Sequence, residues 1–184
     1  MKKVLAMLLC STLILSTLSG LRAADVAADS AQIDATCIAF PGTIIWSTVK
    51  ENITTQNWGE ACYSDTGTGD IVLDFGSSYL VTQVDTWPAT GDATYYPTDY
   101  SFDLSEDGET WVTACSVTGD ANAENGRTYA LTPTAGRYLR MHITGSAVGG
   151  SGCFLGIRGL FATGTPVVNE ESEPESEPES HPET

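Results

Sequence analysis

The chain has 184 residues and carries 24 Asp and Glu against 8 Lys and Arg, a formal net charge of −16. A surface this acidic repels nucleic acid and anionic lipid, so no nucleic-acid partner and no membrane insertion is expected. The N-terminus places Lys2 and Lys3 before an apolar run over 4–18, followed by the small residues Ala23, Ala24, Ala27 and Ala28. That is the layout of a cleavable secretory signal, and the run is short for a membrane span. Leu9 before Cys10 is too large for a good lipoprotein cleavage site. Residues 1–24 are therefore read as a signal peptide, with cleavage between Ala23 and Ala28. The protein is expected to be secreted and extracellular, or periplasmic or on the cell surface if the source is bacterial. Signal removal takes away Lys2, Lys3 and Arg22 and leaves every acid in place, so the exported chain is more negative still.

Residues 25–47 are read as a lead-in with a first strand. Asn52-Ile53-Thr54 is an N-glycosylation sequon, meaningful in a eukaryotic source. Strand signals then recur and helix signals are nearly absent. Ile71-Val72-Leu73-Asp74-Phe75 is closed by the turn residues Gly76-Ser77-Ser78. Over 80–87 the pattern alternates, with Leu80, Thr82 and Val84 on one face and Val81, Gln83, Asp85 and Trp87 on the other. Tyr100, Phe102 and Leu104 alternate with Ser101, Asp103 and Ser105. The turn Glu106-Asp107-Gly108-Glu109 follows, and 111–117 returns as the partner strand. Leu139, Met141 and Ile143 alternate with Tyr138, Arg140 and His142, and 154–163 forms a closing strand. Many short one-sided strands predict an all-β fold, an antiparallel β-sandwich or jelly roll. Residues 165–184 repeat Glu-Ser-Glu-Pro, have nothing to bury, and are expected to be disordered.

Four cysteines follow the signal: Cys37, Cys62, Cys115 and Cys153. An even number in an exported chain predicts two disulfides, with three pairings open. Zinc is not expected, because no Cys-x-x-Cys occurs and His142 is the single histidine outside the tail. His142 has no visible orienting partner. No nucleophile elbow, metal-ligand pair or phosphate-cradling loop stands out, so a non-catalytic protein is expected.

Four segments carry a family likeness: Asp70-Ile71-Val72-Leu73-Asp74-Phe75-Gly76; the run from Asp99 and Tyr100 through Ser105 and Asp107-Gly108 to Trp111; Gly136-Arg137-Tyr138-Leu139-Arg140; and Gly156-Ile157-Arg158-Gly159-Leu160-Phe161. A fainter one is Asn52 to Trp58. In this order they resemble the discoidin, or coagulation factor V/VIII C-type, domain and the related galactose-binding-like carbohydrate modules. The resemblance covers 48–164 and implies a galactose-binding-like β-sandwich that binds ligands through loops at one end. It also implies where this chain departs from the family. Gly159 stands where a calcium-ligating Glu is usual, and Lys50-Glu51 stands near the usual Asp-Gly, so the family calcium site is expected to be altered or lost and no cofactor is expected. Ala89 follows Pro88 where sugar-binding relatives often carry an arginine. The family strands further suggest pairing Cys62 with Cys153, which leaves Cys37 with Cys115.

Loops carry function on such scaffolds. The loop over 88–97 holds Asp92, Tyr95 and Tyr96, and an aromatic ring beside a carboxylate suits a sugar's apolar face and hydroxyls. The glycine-rich loop over 149–154 ends on Phe154. Tyr63 and Arg127 complete the candidate ligand-binding set, whereas Trp58, Trp87 and Trp111 are read as core. Arg137, Arg140 and Arg158 are expected to pair with nearby carboxylates. The expected partner is a glycan or glycoprotein. The alternative is a protein-interaction or cell-surface structural domain with no sugar site.

Overall fold

The structure is a computed structural model, and it describes residues 30–55, 60–89, 95–120, 126–147 and 155–168. Residues 1–29, Trp58, Asp92, Cys153, Phe154 and the stretch from residue 169 lie outside the described residues. Among the described residues no helix is long and apolar enough to cross a membrane.

Among the described residues, eight strands form the fold: β1 (Ala31–Gln32), β2 (Thr36–Ala39), β3 (Cys62–Ser64), β4 (Gly69–Pro88), β5 (Pro97–Ser105), β6 (Val112–Val117), β7 (Arg127–Ser146) and β8 (Leu155–Pro166), with a 3-10 helix at Lys50–Thr54. All pairings are antiparallel. β4 and β7 are each 20 residues long and pair with one another along most of their length. Their register breaks between Asp74 and Tyr79, where β4 holds extra residues opposite the stretch 136–138 of β7. There the sheet folds over on itself. The first half of β4 and the second half of β7 join β2, β5 and β6 in a front layer. The second half of β4 and the first half of β7 join β8, with β1 and β3 along the far edge of β8, in a back layer.

Local chemistry explains the fold-over. Gly76 has φ +76, a conformation that disfavours any residue with a Cβ. Its N–H donates to Asp74 Oδ1 at 2.7 Å, and Arg137 donates to both Asp74 oxygens at 2.9 Å. The Arg137 guanidinium holds the Asp74 carboxyl below the usual carboxylate range. The layers then bury one shared core. Ile71, Leu73, Phe102, Leu104, Leu139, Met141 and Ile143 of the front layer meet Val81, Val84, Leu160 and Ala162 of the back layer. Tyr129 of the back layer packs 5.3 Å from Phe102 and 6.1 Å from Tyr100 of the front layer, centroid to centroid.

The sequence pattern misses one pleat. A register shift between Val81 and Gln83 lets Val81 and Val84, three residues apart, both point into the core. It also carries Trp87 outward, 39% exposed, where a core tryptophan was expected. β8 runs two residues past Gly164, and the chain before residue 48 supplies β1 and β2.

The expected Cys37–Cys115 bridge is overturned by topology. Cys37 pairs with Leu73 on β2, and Cys115 pairs with Phe102 on β6. These are the opposite edges of the five-strand front layer, four strand spacings or about 19 Å apart, far beyond disulfide reach. Cys37, Cys62 and Cys115 all carry free thiols. Burial pushes the Cys37 thiol up to about 12 and that of Cys62 to about 11, which suppresses their thiolates.

On the outer face of the front layer, Asp103 is buried at 2% exposure and receives two bonds from Arg140, at 2.8 and 3.0 Å, and one from Thr113 at 2.8 Å. The Arg140 guanidinium also lies 4.4 Å over the ring of Trp111, which is half-buried. Arg140→Ala strands the Asp103 charge, and urea unfolding should register a loss of about 3–5 kcal/mol.

Asp107 closes the β5–β6 turn by accepting from Ser105 Oγ and from the backbone N–H of Glu109 and Thr110. These bonds hold its carboxyl well below the usual range. A carboxyl lowered in the folded state stabilises above its unfolded value of about 4, and that contribution is lost as pH falls toward the folded value. The melting temperature should drop on going from pH 5 to pH 2. Asp107→Asn should shrink that drop while lowering the melting temperature at pH 7.

Candidate functional site

Because β4 and β7 fold over at one end, their four termini return together to the other. The loops over 89–96, 118–126 and 147–154 all leave from that end. An aromatic cluster sits there on the outer face of the back layer. Cys62 and Ser64 of β3 point inward and are fully buried, so Tyr63 between them points outward. Trp46 packs against it with ring centroids 5.0 Å apart, and Tyr95 lies 6.2 Å from Trp46, edge to face. Trp46 is 56% exposed.

The chain holds Trp46 in an unusual backbone state. Trp46 and Ser47 both have φ +56, in the left-handed region that residues with a Cβ avoid. Each such residue costs of order 1–3 kcal/mol and persists where its surroundings over-determine it. They do so here. Ile45 N–H donates to Tyr63 O at 3.0 Å, and Thr48 N–H and Oγ1 both donate to Ile45 O. Thr48 Oγ1 in turn accepts from Tyr63 N–H at 3.2 Å. Thr43 and Asp65 exchange two further bonds, Thr43 N–H to Asp65 Oδ1 at 2.7 Å and Asp65 N–H to Thr43 O at 3.2 Å. The turn is thereby laced to β3 on both sides of the tryptophan.

Gly156 is the floor of the cluster. Its N–H donates to Tyr95 O at 2.6 Å, and its O accepts from Ala89 N–H at 3.0 Å. The two ends of the 89–95 loop are thus clamped to one residue of β8. A Cβ at Gly156 would lie 2.7 Å from both Ala89 Cβ and Tyr63 Cε1, so only glycine lets the Tyr63 ring rest there. Ala89, 6% exposed, is packed into this junction. Ala89 is the residue at the position where the resemblance leads one to expect an arginine.

Of the residues picked from sequence, Tyr63 and Tyr95 come together, and Trp46 joins them unforeseen. Tyr96 is half-buried, and its carbonyl accepts Ala147 N–H at 2.9 Å. Asp92 and Phe154 lie outside the described residues. Arg127, expected to meet ligand, instead lies 3.4 Å from Asp120. That carboxylate also accepts from Tyr100 and Tyr129, whose hydroxyls are 2.6 Å apart. Burial raises both phenols, so this group is a neutral-tyrosine rim of the core, facing between the layers. His142 does have an orienting partner, Asp70 at 2.6 Å, on the outer face of the front layer and away from the aromatic cluster.

Lys50 brings an ammonium, 2.6 Å from Glu51, to the start of the 3-10 helix, and Gly159 brings no side-chain oxygen. Among the described residues no three of His, Cys, Asp and Glu gather as a metal site would require.

A folded-over antiparallel sheet with a one-ended loop cluster and outward aromatics is the architecture of a galactose-binding-like module. The F5/8 type C domain model matches residues 45–155, and the chain belongs to that family. Solved structures agree in fold. The module CBM32-3 of a family 31 glycoside hydrolase from Clostridium perfringens superposes with a TM-score of 0.63 at 17% identity, over 73% of this chain and 95% of that one. A fragment of a putative chitobiase from Bacteroides thetaiotaomicron gives 0.64 at 17% identity, over 78% and 98%. The family 32 carbohydrate-binding module of NanJ from C. perfringens, solved with galactose, gives 0.57 at 14% identity, over 73% and 99%. No curated protein matches the sequence.

The Gly156 junction is open to test. Gly156→Val should lower the melting temperature by several degrees and change the near-UV circular dichroism of the tyrosine–tryptophan cluster. An unchanged spectrum would mean that Tyr63 does not rest on Gly156.

Proposed function

We propose that this protein is an exported, non-catalytic carbohydrate-binding module whose ligand stacks on Trp46 and Tyr63, beside Tyr95. The observation that carries this reading is Trp46: a large apolar ring, mostly in solvent, on a strained turn that six hydrogen bonds hold in place. Strain kept at an exposed aromatic is a mark of function, because burial would gain stability at no such cost. An indole presents a flat apolar face to the C–H face of a pyranose, and the surrounding backbone and Tyr hydroxyls serve the sugar's hydroxyls. The galactose seen in the NanJ module supports the same ligand class for this chain. Affinity for a single sugar is expected to be weak, with avidity arising from clustered ligands.

A glycan array followed by calorimetry on the best ligand tests the reading. Trp46→Ala should weaken binding at least tenfold, as truncation of a central aromatic anchor does, while the melting temperature stays within a few degrees of wild type. A Trp46→Ala protein that folds and binds as well as wild type removes this site. A wild-type protein that retains no glycan leaves the protein-interaction alternative.

A further inference from the structure

Two thiols share one flank of the sandwich. β4 keeps β7 on one side in both layers, so its other partners, β2 in the front layer and β8 in the back, lie along the same flank. β3 extends that flank beyond β8. Cys37 of β2 and Cys62 of β3 both point inward and are buried, at 1% and 0% exposure, in the same core cluster. The 3-10 helix at Lys50–Thr54 lies against β2, β3 and β8. Lys50 and Glu51, in its first turn, act electrostatically on both thiols, and Cys62 acts on Cys37 directly, so the four side chains form one neighbourhood. Cys115 is far from it, on β6 at the opposite edge of the front layer.

A covalent tie has a physical role here. β2 has four residues and β3 three, so few ladder bonds hold either strand. β3 in turn holds the left-handed turn at Trp46 and Ser47, which lies in the chain between the two cysteines. The Thr48 side chain accepts from Tyr63 N–H and also hydrogen-bonds the Cys62 sulfur, so Cys62 touches the bonds that lace that turn to β3. Cysteine also packs in cores as a small apolar residue. These two differ in lying together, on different layers, in a chain read as exported.

We propose that Cys37 and Cys62 are joined by a disulfide in the exported protein, tying β2 to β3 and so the front layer to the back. The proposal takes its oxidising compartment from the export reading above and does not depend on the sugar site. In the reaction each Sγ gives up its hydrogen and an Sγ–Sγ bond forms. The two electrons and two protons pass to a small-molecule or protein disulfide, which becomes two thiols. The structure carries Cys37 and Cys62 as thiols. Burial raises both, so the folded reduced protein offers little thiolate, and the bond closes during folding, before the flank is sealed.

The test refolds the mature wild-type protein in a buffer of reduced and oxidised glutathione and maps its peptides without reductant. The Cys37 and Cys62 peptides should emerge linked to each other. In Cys115→Ser/Cys153→Ser, where no other bridge is available, reductant should lower the melting temperature by about 5–10 °C. Adding Cys37→Ala to that variant should remove the response. Cys37 or Cys62 recovered as a thiol, or linked to Cys115 or Cys153, overturns the proposal, and so does a melting temperature that reductant leaves unmoved. The mapping needs no variant to fold. Because the buffer supplies the oxidant, the outcome does not hang on export, which cell fractionation tests by itself. A protein that binds glycan with both thiols free overturns the bridge and leaves the carbohydrate reading standing.

Discussion

The pairing of β4 with β7 through both layers is the constraint on which the molecule depends. Two 20-residue strands stay hydrogen-bonded to each other while passing from the front layer to the back, so they must fold over together. Glycine makes this possible at two places. Gly76 supplies the positive φ, and Gly136 allows close approach, since a Cβ there would lie 2.9 Å from Ser105 N. The Asp74–Arg137 pair spans the same corner. With both strands reversed at one end, all four of their termini arrive at the other. The clustering of loops is thus a result of where the sheet bends and does not depend on the loops themselves.

That arrangement separates the core from the exposed aromatics. The shared core and the buried Asp103–Arg140 pair lie within and on the front layer, whereas the exposed aromatics stand on the outer face of the back layer. Substituting Trp46 removes little buried surface. The strain at Trp46 and Ser47 is offset by bonds to β3, an element already fixed by its pairing with β8. A rigid strand holding a strained turn positions a ring more closely than a free loop would.

The core strands were legible because their alternation is strict: Tyr100, Phe102 and Leu104 on β5 and Leu139, Met141 and Ile143 on β7 all face inward as read. What escaped the sequence is non-local. A one-residue register shift after Val81 moves Trp87 to the outside, and nothing in 80–87 signals it. No local residue reveals the left-handed turn at Trp46. Arg127 meets Asp120 across a loop, and His142 meets Asp70 across 72 residues of sequence. The supposed Cys37–Cys115 bridge fails for the same reason, since strand order alone sets the distance between them. Tyr63 and Tyr95 were picked because tyrosines near loops are a chemical signal that needs no topology, and both lie against Trp46.

Backbone amide mapping on the glycan that the protein retains tests most directly whether the end with exposed tryptophans is the recognition surface. The shifted amides should fall within 44–48, 62–64, 95–97 and 155–159, the segments that carry or floor the aromatic rings. Shifts concentrated instead around Asp34, Asp74, Gly76 and the 105–111 turn, at the folded-over end, would contradict it.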